Sequence, residues 1–94
     1  MIVSQAETFA AQPDVVACEL EGGAALLDLR SSLYFSLNSV GAVLWEALTT
    51  PRSVDELVGV VAESFDVTAE ACRADVEAYL RDLHARQLII ARQA

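Results

Sequence analysis

Apolar and polar positions alternate with a period of two through the first third of the chain and then change to a period near 3.6, which marks strands followed by helices. Val15 to Leu20 is β-favouring, with Val16, Cys18 and Leu20 on one face. Glu21-Gly22-Gly23 is a turn signal. Ala24 to Arg30 follows, where Ala25, Leu27 and Leu29 alternate with Leu26, Asp28 and Arg30. Ser31-Ser32 makes a second tight connection, and Leu33-Tyr34-Phe35-Ser36-Leu37 reads as a third strand. Short links between three successive strands predict an antiparallel meander with the third strand at an edge.

Three helices are predicted next. Asn38 caps the first, whose apolar stripe is Val40, Val43, Leu44, Ala47 and Leu48. Gly41 lies four residues before Trp45 on the same side, leaving space for a large neighbour to approach. Thr49 to Arg52 ends this helix, and Ser53 with Glu56 has capping-box spacing for the second. Its stripe is Val54, Leu57, Val58, Val61 and Phe65, interrupted only by the weak helix former Gly59. After Asp66-Val67, Thr68 caps a longer third helix running to about Arg86, with a core stripe of Cys72 or Ala69, then Val76, Leu80 and Leu83. Leu88-Ile89-Ile90 is a final strand or an extended tail. Residues 1–14 read as a loosely ordered lead-in and 91–94 as a C-terminal tail. The predicted fold is α+β and winged helix-turn-helix-like, a three-stranded antiparallel sheet followed by three helices, in one domain over 15–90.

Composition narrows the function classes. Fourteen acidic residues stand against six basic ones, all arginine, for a net charge of −8. Such a chain repels phosphate backbones, so nucleic acid is not an expected partner. No apolar run reaches the roughly 20 residues of a membrane helix, and the N-terminus carries no secretory pattern, so the cytoplasm is the expected location. Cys18 and Cys72 have no second Cys or His at metal-ligand spacing; they are expected to pack as small apolar residues, with no metal site. His84 is the sole histidine, on the charged side of a helix, and there is no glycine-rich phosphate loop. Acids at helix starts, such as Asp55 and Glu56, are accounted for by the helix dipole. Neither catalysis nor a cofactor is expected.

Binding is a different matter. An edge strand exposes unpaired N–H and C=O groups, and proteins usually blunt it with Lys, Pro or an inward charge. Leu33-Tyr34-Phe35-Ser36 has none of these. Either the protein's own helix covers this edge or it is open to an incoming chain. On the third helix, Cys72, Asp75, Tyr79, Asp82 and Arg86 recur at three- and four-residue spacing. Tyr79, a large amphipathic ring, either shapes a pocket beside the third strand or packs at the rim of the core with its hydroxyl in water.

The run Leu26-Leu27-Asp28-Leu29-Arg30-Ser31-Ser32-Leu33-Tyr34-Phe35-Ser36-Leu37-Asn38-Ser39-Val40-Gly41-Ala42-Val43-Leu44-Trp45 resembles the PqqD-like family. So do the helix start Ser53-Val54-Asp55-Glu56-Leu57, the Phe65-Asp66-Val67 break, and Asp75-Val76 through Leu80 and Leu83 to Leu88-Ile89. The resemblance spans about residues 15–90. It implies a recognition element that binds the leader of a ribosomally made precursor peptide as an added strand, in a groove walled by the third helix. Carried over by position, the strand side is Leu33, Tyr34, Phe35 and Ser36. The helix side is Cys72, Asp75, Val76, Tyr79, Asp82 and Leu83. The Leu-Tyr-Phe-Ser-Leu-Asn segment is most similar to standalone leader-binding proteins of lasso-peptide pathways, whose partners are a leader peptidase and a cyclase. The alternative subtype is a chaperone partnering a radical SAM enzyme. Two other classes remain beside these. A winged-helix DNA binder would share the architecture, and an open edge could instead pair with a second copy in a homodimer.

Overall fold

The computed structural model describes residues 7–93 and contains two three-stranded antiparallel sheets and three helices. The elements run β1 (Glu7–Ala11), β2 (Val15–Leu20), β3 (Gly23–Asp28), β4 (Leu33–Asn38), α1 (Ser39–Ala47), β5 (Arg52–Ser53), α2 (Val54–Phe65), α3 (Ala69–Ala85) and β6 (Ile89–Gln93). The larger sheet is the anticipated meander in the order β2-β3-β4, with Val15 opposite Asp28 and Leu26 opposite Phe35. Gly22 turns the first hairpin at φ +80°, in the left-handed region that glycine enters without steric cost.

The second sheet was not legible in the sequence. Residues 7–11, expected as part of a loose lead-in, form β1, the middle strand of the order β5-β1-β6. Ala10 pairs with Ile90 and Glu7 with Gln93, so the expected tail over residues 91–93 is strand as well. Phe9 drives this arrangement, since it is fully buried among apolar residues of the common core. Burying a side chain of that size contributes roughly 1.5–3 kcal/mol. The winged helix-turn-helix comparison therefore holds only loosely, because this terminal sheet ties the two ends of the domain together. The lead-in residues 1–6 lie outside the described part.

The helices follow their caps. The Asn38 side chain accepts a hydrogen bond from the Gly41 N–H, Thr68 from the Ala71 N–H, and Ser53 with Glu56 closes a reciprocal capping box. Leu44 and Leu48 of the first helical segment, Val54, Leu57, Val58 and Val61 of α2, and Val76, Leu80 and Leu83 of α3 meet in one core with Leu26 of β3. Ala69, one of two residues considered for the start of the α3 stripe, is exposed, and Cys72 takes that place. Cys18 departs from its expected packing role: it is exposed on β2, whereas Cys72 is buried, and both are free thiols. No helix among the described residues is long and apolar enough to cross a membrane.

Candidate functional site

The phase of the β-ladder decides which backbone groups β4 presents outward. Antiparallel pairs alternate between those that exchange hydrogen bonds and those that do not. The Leu29 N–H donates to the Asp14 carbonyl at 2.9 Å, one step beyond the Val15–Asp28 pair. Odd-numbered residues of β3 therefore bond to β2, and even-numbered ones bond to β4. It follows that Leu33, Phe35 and Leu37 turn their N–H and C=O groups inward to β3. Tyr34 and Ser36 turn theirs outward, where an added strand would bond them.

Beside this edge runs a trough whose other wall is α3. Its middle section has a volume of about 560 Å3 and is lined by Ser36, Leu37, Asn38 and Val40 on one side and by Asp75, Ala78, Tyr79 and Asp82 on the other. A narrower section of about 260 Å3 continues toward the start of β4, between Tyr34, Phe35, Asp82 and Arg86, with Leu83 and Leu88 as its floor. Beyond the end of β4 lies an apolar pocket of about 210 Å3 formed by Val40, Val61, Phe65, Val67, Ala71, Cys72 and Asp75. Three sections thus follow one stripe of α3, from Arg86 back to Ala71. Consecutive residues of β4 line the trough, so it opens along the strand's edge rather than under one face.

The predicted site residues divide into two groups. Tyr34, Phe35, Ser36, Asp75, Tyr79 and Asp82 all line the trough. Leu33 is exposed at the start of β4 but borders none of its three sections. Val76, at 0% exposure, belongs wholly to the core and reaches no part of the trough. Leu83 (1%) and Cys72 (6%) are core residues whose outer atoms floor the two end sections. The physical reason is helical phase: residues 72, 76, 80 and 83 form the buried stripe, and the trough stripe is rotated one position around α3. In the middle section Leu37, Asn38, Val40 and Ala78 were missed, and the two end sections add others, among them Arg86 and Phe65. Ala78 carries no chemistry to announce itself, and Leu37, Asn38 and Val40 lie at or past the point where strand gives way to helix.

Contacts across the trough hold its two walls in place. The Tyr79 hydroxyl donates to Asn38 Oδ1, the same oxygen that accepts the Gly41 N–H at 3.0 Å. The Arg86 guanidinium carbon stands 5.4 Å from the centre of the Phe35 ring, a cation–π contact, while Arg86 Nε reaches Asp82 at 3.2 Å. Among the described residues Asp75 has neither hydrogen bond nor ion pair, so the middle of the α3 wall is acidic. At the β3–β4 turn, the buried Asp28 carboxylate accepts from the Arg30 backbone N–H, Nε and Nη2. Arg30 Nη2 also donates to the Gln87 carbonyl at 2.6 Å, joining this turn to the chain after α3. Hydrogen bonding from Arg30 holds the Asp28 carboxyl below its ordinary pKa and raises that of Arg30. His84 is half-buried and faces a different surface groove, with Gln12, Arg30 and Ile90.

No group of three or more His, Cys, Asp or Glu side chains suited to a metal occurs among the described residues. What the site offers is an open pair of backbone positions, a groove running beside them along α3, and side-chain pockets at both ends.

The comparisons with known proteins bear on the fold and the family. No curated protein matches the chain significantly in sequence. In structure it is similar to TbiB1 in complex with the TbiA(beta) leader peptide, with 25% identity, 85% of this chain and 93% of that one covered, and a TM-score of 0.74. It is also similar to a lasso peptide synthetase B1 complexed with the leader peptide (22% identity, 87% and 96% covered, TM-score 0.72). A third likeness is the solution structure of the PqqD truncation of Methylobacterium extorquens PqqCD, a stand-alone recognition element for ribosomally synthesized and modified peptides. There identity is 14%, 95% of each chain is covered and the TM-score is 0.75. The family model for coenzyme PQQ synthesis protein D (PqqD) matches residues 23–89, from β3 through the first residue of β6, and the chain belongs to that family.

Proposed function

We propose that this protein binds the leader segment of a ribosomally made precursor peptide by adding it as a strand to the β4 edge, with α3 as the second wall. The observation that carries the reading is the trough itself: outward backbone groups at Tyr34 and Ser36 face an open channel along α3. Two structures of similar fold hold leader peptides, which supports the same class of ligand here. The domain delivers its peptide and leaves the chemistry to partners. Those partners are a leader peptidase and a cyclase of a lasso-peptide pathway. The alternative partner set is built around a radical SAM enzyme.

DNA binding does not fit α3. Arg73 is paired with Asp55 and Arg86 with Asp82, and Glu70, Asp75 and Glu77 share the helix surface. Phosphate would meet repulsion there.

The test is titration of a fluorescent synthetic leader, taken from the precursor gene beside this one, followed by anisotropy. Saturable binding at micromolar affinity or tighter is expected. An unchanged anisotropy at saturating protein would overturn the proposal. Testing the full chain against its precursor, with and without peptidase, distinguishes the two partner sets. A homodimer through β4 would compete with the leader, so adding leader should dissociate it.

A further inference from the structure

The middle of the trough contains a close fit that strand addition alone does not explain. A Cβ built on Gly41 would stand 2.9 Å from Tyr79 Cε1 and 3.0 Å from its hydroxyl oxygen. The same atom would lie 3.0 Å from the Leu37 Cβ. Gly41 is buried in the first turn of α1, so the Tyr79 ring occupies space that any other residue at position 41 would claim. The large neighbour that the small residue admits is therefore on α3.

The ring is also oriented by its hydroxyl. Tyr79 donates to Asn38 Oδ1, and Asn38 is at once the last residue of β4 and the N-cap of α1. One side-chain oxygen thus gathers the Gly41 N–H and the Tyr79 O–H. This places a fixed contact between α3 and the end of β4, in the middle section of the trough.

We infer that Gly41, Asn38 and Tyr79 form a latch that sets the width of the trough, with Tyr79 as a positioning residue for the bound peptide. The inference rests on the strand-addition reading above. α3 is a rigid element, so the depth to which Tyr79 seats on Gly41 fixes how far the α3 wall stands from the β4 edge. An incoming strand needs a spacing of about 4.7–4.9 Å from its neighbour. A side chain at position 41 lifts the ring, which then either swings into the trough or carries α3 away from β4. Both outcomes spoil the fit on one wall.

The experiment is a double-mutant cycle on the full chain with Gly41→Ala, Tyr79→Ala and the pair, plus Tyr79→Phe. Leader affinity is measured well below the melting temperature, and thermal unfolding is followed in parallel. Gly→Ala inside a helix ordinarily stabilises it. In the wild-type background Gly41→Ala should instead lower the melting temperature and weaken leader binding at least tenfold. In the Tyr79→Ala background only the approach to Leu37 Cβ remains, so the same change should leave affinity within twofold and lower the melting temperature by clearly less than in the wild type. Tyr79→Phe keeps the ring in its seat and loses the bond to Asn38, so it should weaken binding only a few-fold. Equal effects of Gly41→Ala in both backgrounds would overturn the latch. If the wild type binds no leader, the strand-addition reading falls, while the thermal cycle still accepts or rejects the contact. Should Gly41→Ala alone fail to fold while the pair folds, that rescue upholds the latch; failure of both overturns it.

Discussion

The two free edges of the larger sheet are alike in sequence and unlike in surroundings. β2 and β4 are each six residues long and neither contains Lys, Arg or Pro, the one charge on either being Glu19 of β2. By the usual signs of edge protection both are open. Along β4, consecutive residues from Tyr34 to Asn38 line a channel whose far wall is α3, and Tyr79 and Arg86 bridge the two walls. At β2 the cavity of about 400 Å3 is lined by Ala17, Glu19 and Leu20, by Gly23 and Ala24 of the neighbouring strand β3, and by Ala42, Val43 and Trp45 of α1. Because it takes in residues of β3 as well as β2, that cavity spreads across the sheet face toward α1, whereas the trough beside β4 includes no residue of β3. On the reading proposed above, what makes one such edge a peptide site is the second wall standing beside it.

The sharpest way to break this contrast is a proline on each edge. Ser36→Pro removes an outward N–H from β4 and sets a ring where the added strand would lie. A lost backbone bond is worth about 0.5–1.5 kcal/mol, and the ring adds steric exclusion, so leader affinity should fall at least about tenfold. Ala17 is the matching outward position on β2, and Ala17→Pro should leave affinity unchanged. Proline at Phe35 is not an equivalent probe, since it cuts the protein's own ladder to Leu26. Equal loss from both edge prolines, measured by anisotropy, would erase the distinction between the edges.

A smaller effect is expected from filling the cavities. Ala78 is exposed on the α3 wall, so Ala78→Trp places an indole in the trough without disturbing the core. The expected cost is about 1 kcal/mol of binding, on the order of fivefold in affinity. Glu46→Trp crowds the cavity below β2 instead and should not alter leader binding. Isothermal titration of the two variants decides whether both cavities or only the trough takes part.

These contrasts also show what the sequence could and could not reveal. Caps and periodicity gave away the meander and all three helices, because Asn38, Ser53-Glu56 and Thr68 act within a few residues of themselves. β1 and β6 were invisible for the opposite reason: Glu7–Ala11 acquires its strand partners from the far end of the chain. On the strand side, Tyr34, Phe35 and Ser36 do line the trough, as their place on an edge strand leads one to expect. On α3 the reading mixed two adjacent stripes, taking Val76 from the core along with Asp75 and Tyr79 from the trough. Spacing of three and four fits both stripes, and only the packing of α3 against α2 selects between them.

Stability and binding should separate at Gly59. It lies exposed within α2, and a Cβ there would meet nothing within 4 Å. Gly59→Ala should stabilise the fold by about 1 kcal/mol, since alanine loses less backbone freedom in a helix. Leader affinity should stay the same, because α2 borders the trough only at its apolar end, through Val61 and Phe65. A rise in melting temperature accompanied by a change in affinity would mean that the trough responds to global stability and that its two walls are not independently fixed.

The turn ahead of β4 supplies the finest distinction between the edges. Asp28 and Arg30 join that turn to Gln87, beyond α3, whereas the Glu21-Gly22 turn at the end of β2 has no comparable tie to a helix among the described residues. Asp28 is 5% exposed, and its carboxyl is held below its ordinary pKa chiefly by the Arg30 side chain. A carboxyl whose pKa is lower in the folded state contributes stability that is complete above its unfolded value, near 4, and is lost as pH falls through the folded value. Arg30, with its pKa raised from an already high value, stays charged throughout and adds no slope in this range. Asp28→Asn should therefore melt below the wild type by a constant margin from about pH 8 to pH 5. Below about pH 4 that margin should shrink as the wild-type carboxyl takes up its proton. Because the other acidic groups are common to both proteins, their titration cancels in the difference. A margin that persists unchanged to pH 2.5 would show that the Asp28–Arg30–Gln87 tie owes nothing to charge, and that β4 is held against α3 by packing and by the Tyr79 and Arg86 contacts.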